Sequence, residues 1–99
     1  MPPVIEAFSV EPGTTVVVPS YGTTVYVVFS DADEDPLSFW WTLSDQGPVG
    51  DPQPLENPLG EGSAVTLVWN EELDGQILRC YVDDDQTDTV LIQWPLEVQ

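Results

Sequence analysis

Eighteen carboxylates set against a single basic side chain are the chemistry this 99-residue sequence offers. Asp31, Asp33, Glu34 and Asp35 crowd into one short stretch, and Asp83, Asp84 and Asp85 form a second run followed by Asp88. Aspartates at alternating positions supply hard oxygen donors that converge on Ca²⁺ when their loop curls. Like charges held together also repel, by roughly 1 kcal/mol per pair at 4 Å in bulk water and more where water is excluded. A bound cation relieves that repulsion, and so does salt around exposed groups. An EF-hand is excluded by residue type, because Pro36 stands at the turn glycine and Thr42 where the bidentate glutamate belongs. Asp31, Asp33, Asp35, Asp83 and Asp84 are the candidate calcium ligands; the alternative is a solvated, turn-forming acidic loop.

The same composition closes most other chemistry. Arg79 is the one cation, Lys and His are absent, and the formal net charge is −17. Nucleic-acid backbones and anionic membrane surfaces repel such a chain, which excludes nucleic acid as a partner. No imidazole or amine is present to act as general base, Schiff-base nucleophile or phosphate clamp. Cys80 is the single cysteine, so neither an ordinary zinc site nor a disulfide within the chain can form. A carboxylate pair roughly 5–9 Å apart in a cleft can hydrolyse glycosides, but no pair here singles itself out and so short a chain offers little cleft. The chain reads as non-catalytic. No apolar run approaches the roughly 18 residues of a membrane helix, so direct membrane insertion is not expected.

The elements that must position these residues follow a period of two. Val25, Val27 and Phe29 share one face, as do Leu37, Phe39, Trp41 and Leu43. Val65, Leu67 and Trp69 form another set, then Leu78, Cys80 and Val82, then Val90, Ile92, Trp94, Leu96 and Val98. Such alternation, rich in β-branched and aromatic residues, predicts half-buried strands. Two further extended stretches, "PVIEAFSV" and "TTVVVP", are separated by Pro12-Gly13. About seven short strands in this length predict an all-β antiparallel sandwich, whose common core takes in Val25, Val27, Phe29, Trp41, Leu67, Leu78, Cys80 and Trp94. Residues 45–62, with their glycines and prolines, read as a long loop that is either functional or an edge region with one short strand. Alternation also puts Trp40, Ile77, Tyr81 and Leu91 on faces opposite the core. Exposed aromatics there can anchor a protein contact or stack on sugar rings; the bland alternative is scattered apolar surface.

Several stretches carry a resemblance. The opening "PPVIEAFSVEPGTTVVVP", the acidic run into an aromatic strand, "DADEDPLSFWWTL", and the closing "LDGQILRCYVDDD" and "TVLIQWPLEV" together resemble bacterial Ig-like modules related to PKD and cadherin-like repeats. The resemblance spans nearly the whole chain and implies an Ig-like antiparallel β-sandwich of about seven strands. It also implies that Asp31 and Asp33 match the two aspartates of the cadherin "DADxG" loop, which help hold Ca²⁺ between domains. The sequence departs from these families at identifiable places. "WWTLSDQ" replaces the PKD "WDFGDG", "LDG" at Leu73 to Gly75 replaces the cadherin "DRE", the Ig cysteine pair is reduced to Cys80, and Leu78 replaces the corner tyrosine.

Residues 1–3 then read as linker and 4–99 as one Ig-like domain taken from a larger bacterial envelope or secreted protein. The expected location is extracellular, at the cell surface or in the periplasm. The expected role is a spacer or an adhesion and protein-interaction unit, whose partners are adjacent domains of the parent chain or another surface protein. The alternatives are a carbohydrate-binding module and an acidic mimic of nucleic acid. Calcium is the one cofactor that the residues suggest. Its test is direct: a weak site of the extracellular-module type has a Kd of roughly 10⁻⁴–10⁻³ M, and at ten times Kd it stabilises the fold by about 1.4 kcal/mol. Mg²⁺ should do less, and Asp31→Asn/Asp33→Asn should abolish the effect. Calorimetry and melting that show no heat and no shift at about 10 mM Ca²⁺ would exclude the site.

Overall fold

The structure is a computed structural model that describes residues 3–30, 37–44, 47–48, 52–58, 60–83 and 89–99. Within them the chain forms β1 (Val4–Phe8), β2 (Val16–Val18), β3 (Thr23–Ser30), β4 (Ser38–Leu43), β5 (Gly47–Pro48), β6 (Gln53–Asn57), β7 (Gly60–Leu67), β8 (Ile77–Asp83) and β9 (Val90–Val98). A single 3₁₀ turn, Glu71–Leu73, joins β7 to β8. The strands form two sheets, in the orders β1-β3-β7-β6 and β2-β9-β8-β4-β5. The alternating apolar sets of the two sheets face one another, as in a sandwich.

The expected core is the observed one. Val25, Val27, Phe29, Val65 and Leu67 come from the first sheet. Trp41, Leu43, Leu78, Cys80, Val82, Trp94 and Leu96 come from the second, with Val16 and Val18 from β2. Trp41 is 1% exposed and its neighbour Trp40 is 42% exposed, which fixes the register of β4 as the alternation requires. Trp41 and Trp94 stack at 5.8 Å with planes 14° apart, bridging diagonally across β8. Both buried indole N–H groups are satisfied outside their own sheet. Trp41 Nε1 donates to Ser63 Oγ on β7 at 2.9 Å, and Trp94 Nε1 donates to the Val10 carbonyl at 2.9 Å.

That second bond helps place the chain where it crosses between sheets. β1 pairs with β3, with a register shift between Ile5 and Ala7, before the chain turns at Gly13, whose φ is 90°. The Gly13 amide donates to the Gln93 carbonyl at 2.8 Å, which brings the chain onto the second sheet. β2 therefore runs alongside β9 in the same direction, a parallel pair in an otherwise antiparallel sandwich. The "PVIEAFSV" and "TTVVVP" stretches are not a hairpin. They edge different sheets.

Three further differences from the sequence expectation have local causes. The 45–62 stretch carries two short edge strands rather than one, with β5 pairing to β4 and β6 to β7. β7 begins at Gly60, where a side chain would sit 2.0 Å from the Phe29 carbonyl oxygen, so only glycine allows this approach. Trp69 leaves the set begun by Val65 and Leu67, because β7 ends at Leu67 and the alternation ends with it. It is half-exposed, its indole donating to the Gln99 carbonyl at 3.0 Å. Val28 is buried although it faces away from the core, because it lies over Gly62, opposite Ala7 on the other flank.

Two measurements follow from this packing. Trp41→Ala should destabilise by about 3–5 kcal/mol in urea melts, through lost burial and the cavity left behind, whereas Trp40→Ala should cost well under half as much. Equal losses would contradict the register. Cys80, with no exposed surface, has its thiol pushed by desolvation from an ordinary 9.0 up to about 12. The unfolded thiol ionises above pH 9 while the folded one keeps its proton, so this group's contribution is intact below pH 9 and is lost as pH rises towards 12. Between pH 9 and 11 the wild type should lose roughly 2–3 kcal/mol more than Cys80→Ala, at about 1.4 kcal/mol per pH unit. Parallel pH–stability curves for the two proteins would show that Cys80 is not so buried.

Candidate interaction surface

Pairing of β4, β8 and β9 converts the sequence alternation into rows across the outer face of the five-stranded sheet. Trp40, Tyr81 and Leu91 are direct cross-strand neighbours. The next outward row is Thr42, Arg79 and Gln93, and the one after it pairs Ile77 with Pro95. All four residues singled out as an interaction surface thus lie on one face. Trp40 and Leu91 are exposed, while Tyr81 and Ile77 between their neighbours are half-buried.

The aromatic pair has a specific geometry. The Trp40 and Tyr81 rings stack with centroids 5.5 Å apart and planes 9° from parallel. Such a pair is worth about 0.5–1.5 kcal/mol beyond its buried area. The stack turns one face of each ring inwards, so the two do not form a flat, side-by-side platform of the kind a sugar would lie on. The carbohydrate alternative calls for two rings side by side, an arrangement different from this stack. What the face presents is a packed apolar ridge running on to Leu91.

Arg79 is the residue that the sequence reading passed over. In the sequence it enters only as a count in the charge balance, although position 79 lies between the outward-facing 77 and 81 and so faces outwards as well. The half-buried side chain crosses the middle of the face, and its Nε donates to Gln93 Oε1 at 3.3 Å. Among the described residues no carboxylate pairs with it, and the rows Trp40-Tyr81-Leu91, Thr42-Arg79-Gln93 and Ile77-Pro95 contain none. Among the described residues of the face, carboxylates stand only towards its ends, Asp83 opposite Ser38 and Glu97 opposite Val17.

The acidic pole is different. Of the five candidate calcium ligands only Asp83 is described, at the end of β8; Asp31, Asp33, Asp35 and Asp84 lie outside the described residues. Two other carboxylates near that pole already accept hydrogen bonds, Glu6 from the Ser30 hydroxyl and Glu61 from the Leu37 amide at 2.8 Å. Among the described residues no three acidic, Cys or His side chains come together as a metal-binding group. A shallow groove of about 380 Å³ opens nearby between the sheets, lined by Leu37, Phe39, Leu55 and Glu61 among others.

Two sheets packed around a core tryptophan, with the first strand divided between them, define an Ig-like β-sandwich. Solved structures agree on the fold. The chain is similar to the N-terminal Ig1-2 module of the Drosophila receptor protein tyrosine phosphatase DLAR, with a TM-score of 0.67 and 19% identity over 100% of this chain. It spans 50% of that module's length. It is also similar to RIG-5 IG1, solved as a homodimer, with a TM-score of 0.72 and 13% identity over 100% of this chain and 99% of that one. Titin domain M7 aligns with a TM-score of 0.64 and 16% identity, covering 98% and 93%. No family model and no curated protein sequence matches the chain.

Proposed function

We propose that this chain is a non-catalytic Ig-like interaction module that offers the outer face of its five-stranded sheet to another protein surface. The observation that carries the reading is the Trp40–Tyr81–Leu91 row: large apolar side chains, part-exposed, held in one register on a rigid sheet. Aromatic anchors on a stiff scaffold lose little conformational freedom on binding and bury large areas, which is how a small patch can dominate an interface. The occupant of the face is a second surface protein, in keeping with the extracellular or periplasmic location that the PKD- and cadherin-like motifs imply. A module with such a face also serves as a spacer, since neighbours docked on it fix their relative orientation. A weak calcium site at the acidic pole is compatible with this role and independent of it.

The test is a photo-crosslink made where the protein is produced. A benzoylphenylalanine at position 91 should yield a discrete adduct, and one at position 66, an exposed site on β7 of the other sheet, should not. No adduct at 91, or equal yields at the two positions, would overturn the reading.

A further inference from the structure

We infer that Arg79 is the specificity-determining contact of this face, and that its partner there is a carboxylate of a different protein, presented beside an apolar patch. This rests on the interaction-module reading above and adds to it the chemistry of what is bound. The argument begins with charge. In a chain of 18 acidic residues and one cation, that cation would be expected to be neutralised in cis. Instead it stands at the centre of a face from which carboxylates are missing along three consecutive rows, while Asp83 and Glu97 occupy the face's ends.

Geometry supplies the second part. Gln93 takes up Nε through its side-chain oxygen at 3.3 Å, which orients the planar guanidinium from one side. Among the described residues no side chain hydrogen-bonds the two terminal nitrogens. An arginine held in this way presents a fork that matches the two oxygens of a carboxylate, and the bidentate pair is both directional and stronger than a neutral hydrogen bond. The surrounding residues favour such a pair. Trp40, Tyr81 and Leu91 on one side and Ile77 and Pro95 on the other would exclude water when covered, and exclusion of water strengthens the ion pair. On the unbound face the same arginine stays hydrated, so the selectivity appears only on contact.

The net charge then narrows the partner. A second copy would bring its own −17 to the interface, and the two fields would oppose one another. The fitting partner is a neutral or basic protein surface that carries one acidic residue within an apolar patch. A substitution of its carboxylate, or of Arg79, leaves the remaining charge desolvated and unpaired, which is why a contact of this type decides between partners rather than merely adding affinity.

The experiment uses the full chain with the position-91 crosslinker. Arg79→Gln should lower the adduct at least tenfold with the melting temperature unchanged, and Arg79→Lys should recover only part, since the charge is kept and the fork is lost. Gln93→Glu places a carboxylate beside Arg79 in cis without removing a folded-state contact, and it should lower the adduct by a similar factor. Mass spectrometry of the wild-type adduct should map to a partner segment containing Asp or Glu. Unchanged yields in both Arg79→Gln and Gln93→Glu would overturn the arginine assignment while leaving the interaction face intact. An adduct of twice the chain mass, or a mapped segment without a carboxylate, would overturn the partner assignment. The interaction reading fails separately, by the absence of any adduct at 91 in the wild-type background.

Discussion

The two sheets are tied together by a pair of indoles. Trp41 and Trp94 stack across β8, and each sends its N–H to a group outside the sheet that carries it: Trp41 to Ser63 on β7, Trp94 to the backbone at Val10. A buried indole that lost its acceptor would cost about 1–3 kcal/mol, so these bonds bind the packing to one register. Cys80 lies opposite Trp41 with no exposed surface and acts as a small apolar side chain. Much else follows from the pair. Ser63 sits in β7 because Gly60 and Gly62 let that strand approach β3, and Val10 is where it is because the chain must cross from one sheet to the other. A covalent crosslink stabilises mainly by restricting the unfolded chain. Here the same cohesion comes from burial and satisfied polar groups in the folded state.

The placement of charge is the second constraint. A net charge of −17 opposes compaction, and strands with carboxylates on both faces could not pack. β3 carries no charged residue, and β7 carries only Glu61, near its start and bonded to the Leu37 amide. The charge is thereby kept from the middle of the sandwich. On the outer face of the five-stranded sheet the same economy leaves a neutral apolar ridge with a cation at its centre. In the interaction reading proposed above, a partner meets the long-range field of the net charge first and this local exception last, so charge governs encounter and the face governs fit.

How much of this could be read from the residues depends on whether a local rule was at work. Alternation settled which of Trp40 and Trp41 enters the core, because a strand leaves no third choice, and it put Trp40, Tyr81, Ile77 and Leu91 on faces opposite the core without saying that these are one face. It could not say that Tyr81 would sit between Trp40 and Leu91, since register between strands is set by pairing across the sheet. It failed at Trp69, where the strand had already ended, and at Val28, whose burial on the outer side depends on a glycine in another strand. β5 and β6 lay hidden in a segment rich in proline and glycine, residues that ordinarily mark loops; edge strands tolerate them because one side of the ladder is free. The parallel β2–β9 pair was illegible for a related reason, as only the Trp94 and Gly13 bonds, both long-range, redirect the chain after β1. The acidic runs remain the reverse case: plain in sequence, with only Asp83 among the described residues.

The face itself shows why composition alone misleads about recognition. Counted with the others, Arg79 is one part in nineteen of the ionised side chains and seems negligible. Placed in its row, it is the one charged residue of the three rows that hold Trp40, Tyr81, Leu91, Ile77 and Pro95, with Asp83 and Glu97 one row further out at the two ends. The interaction reading proposed above turns on the same difference between a protein contact and a sugar contact. A sugar needs an open ring face, and the Trp40–Tyr81 stack turns one face of each ring against the other. A protein surface needs instead a rigid apolar rise with a directional polar group beside it, so that burial supplies energy and the polar group supplies discrimination. The stack stiffens the first, and the Gln93 bond orients the second. Both depend on β8 being the central strand that joins the row of rings to the row of Arg79, and β8 is held where it is by Leu78, Cys80 and Val82 packed on its other side. The core that makes the fold is therefore also what sets the spacing of the face.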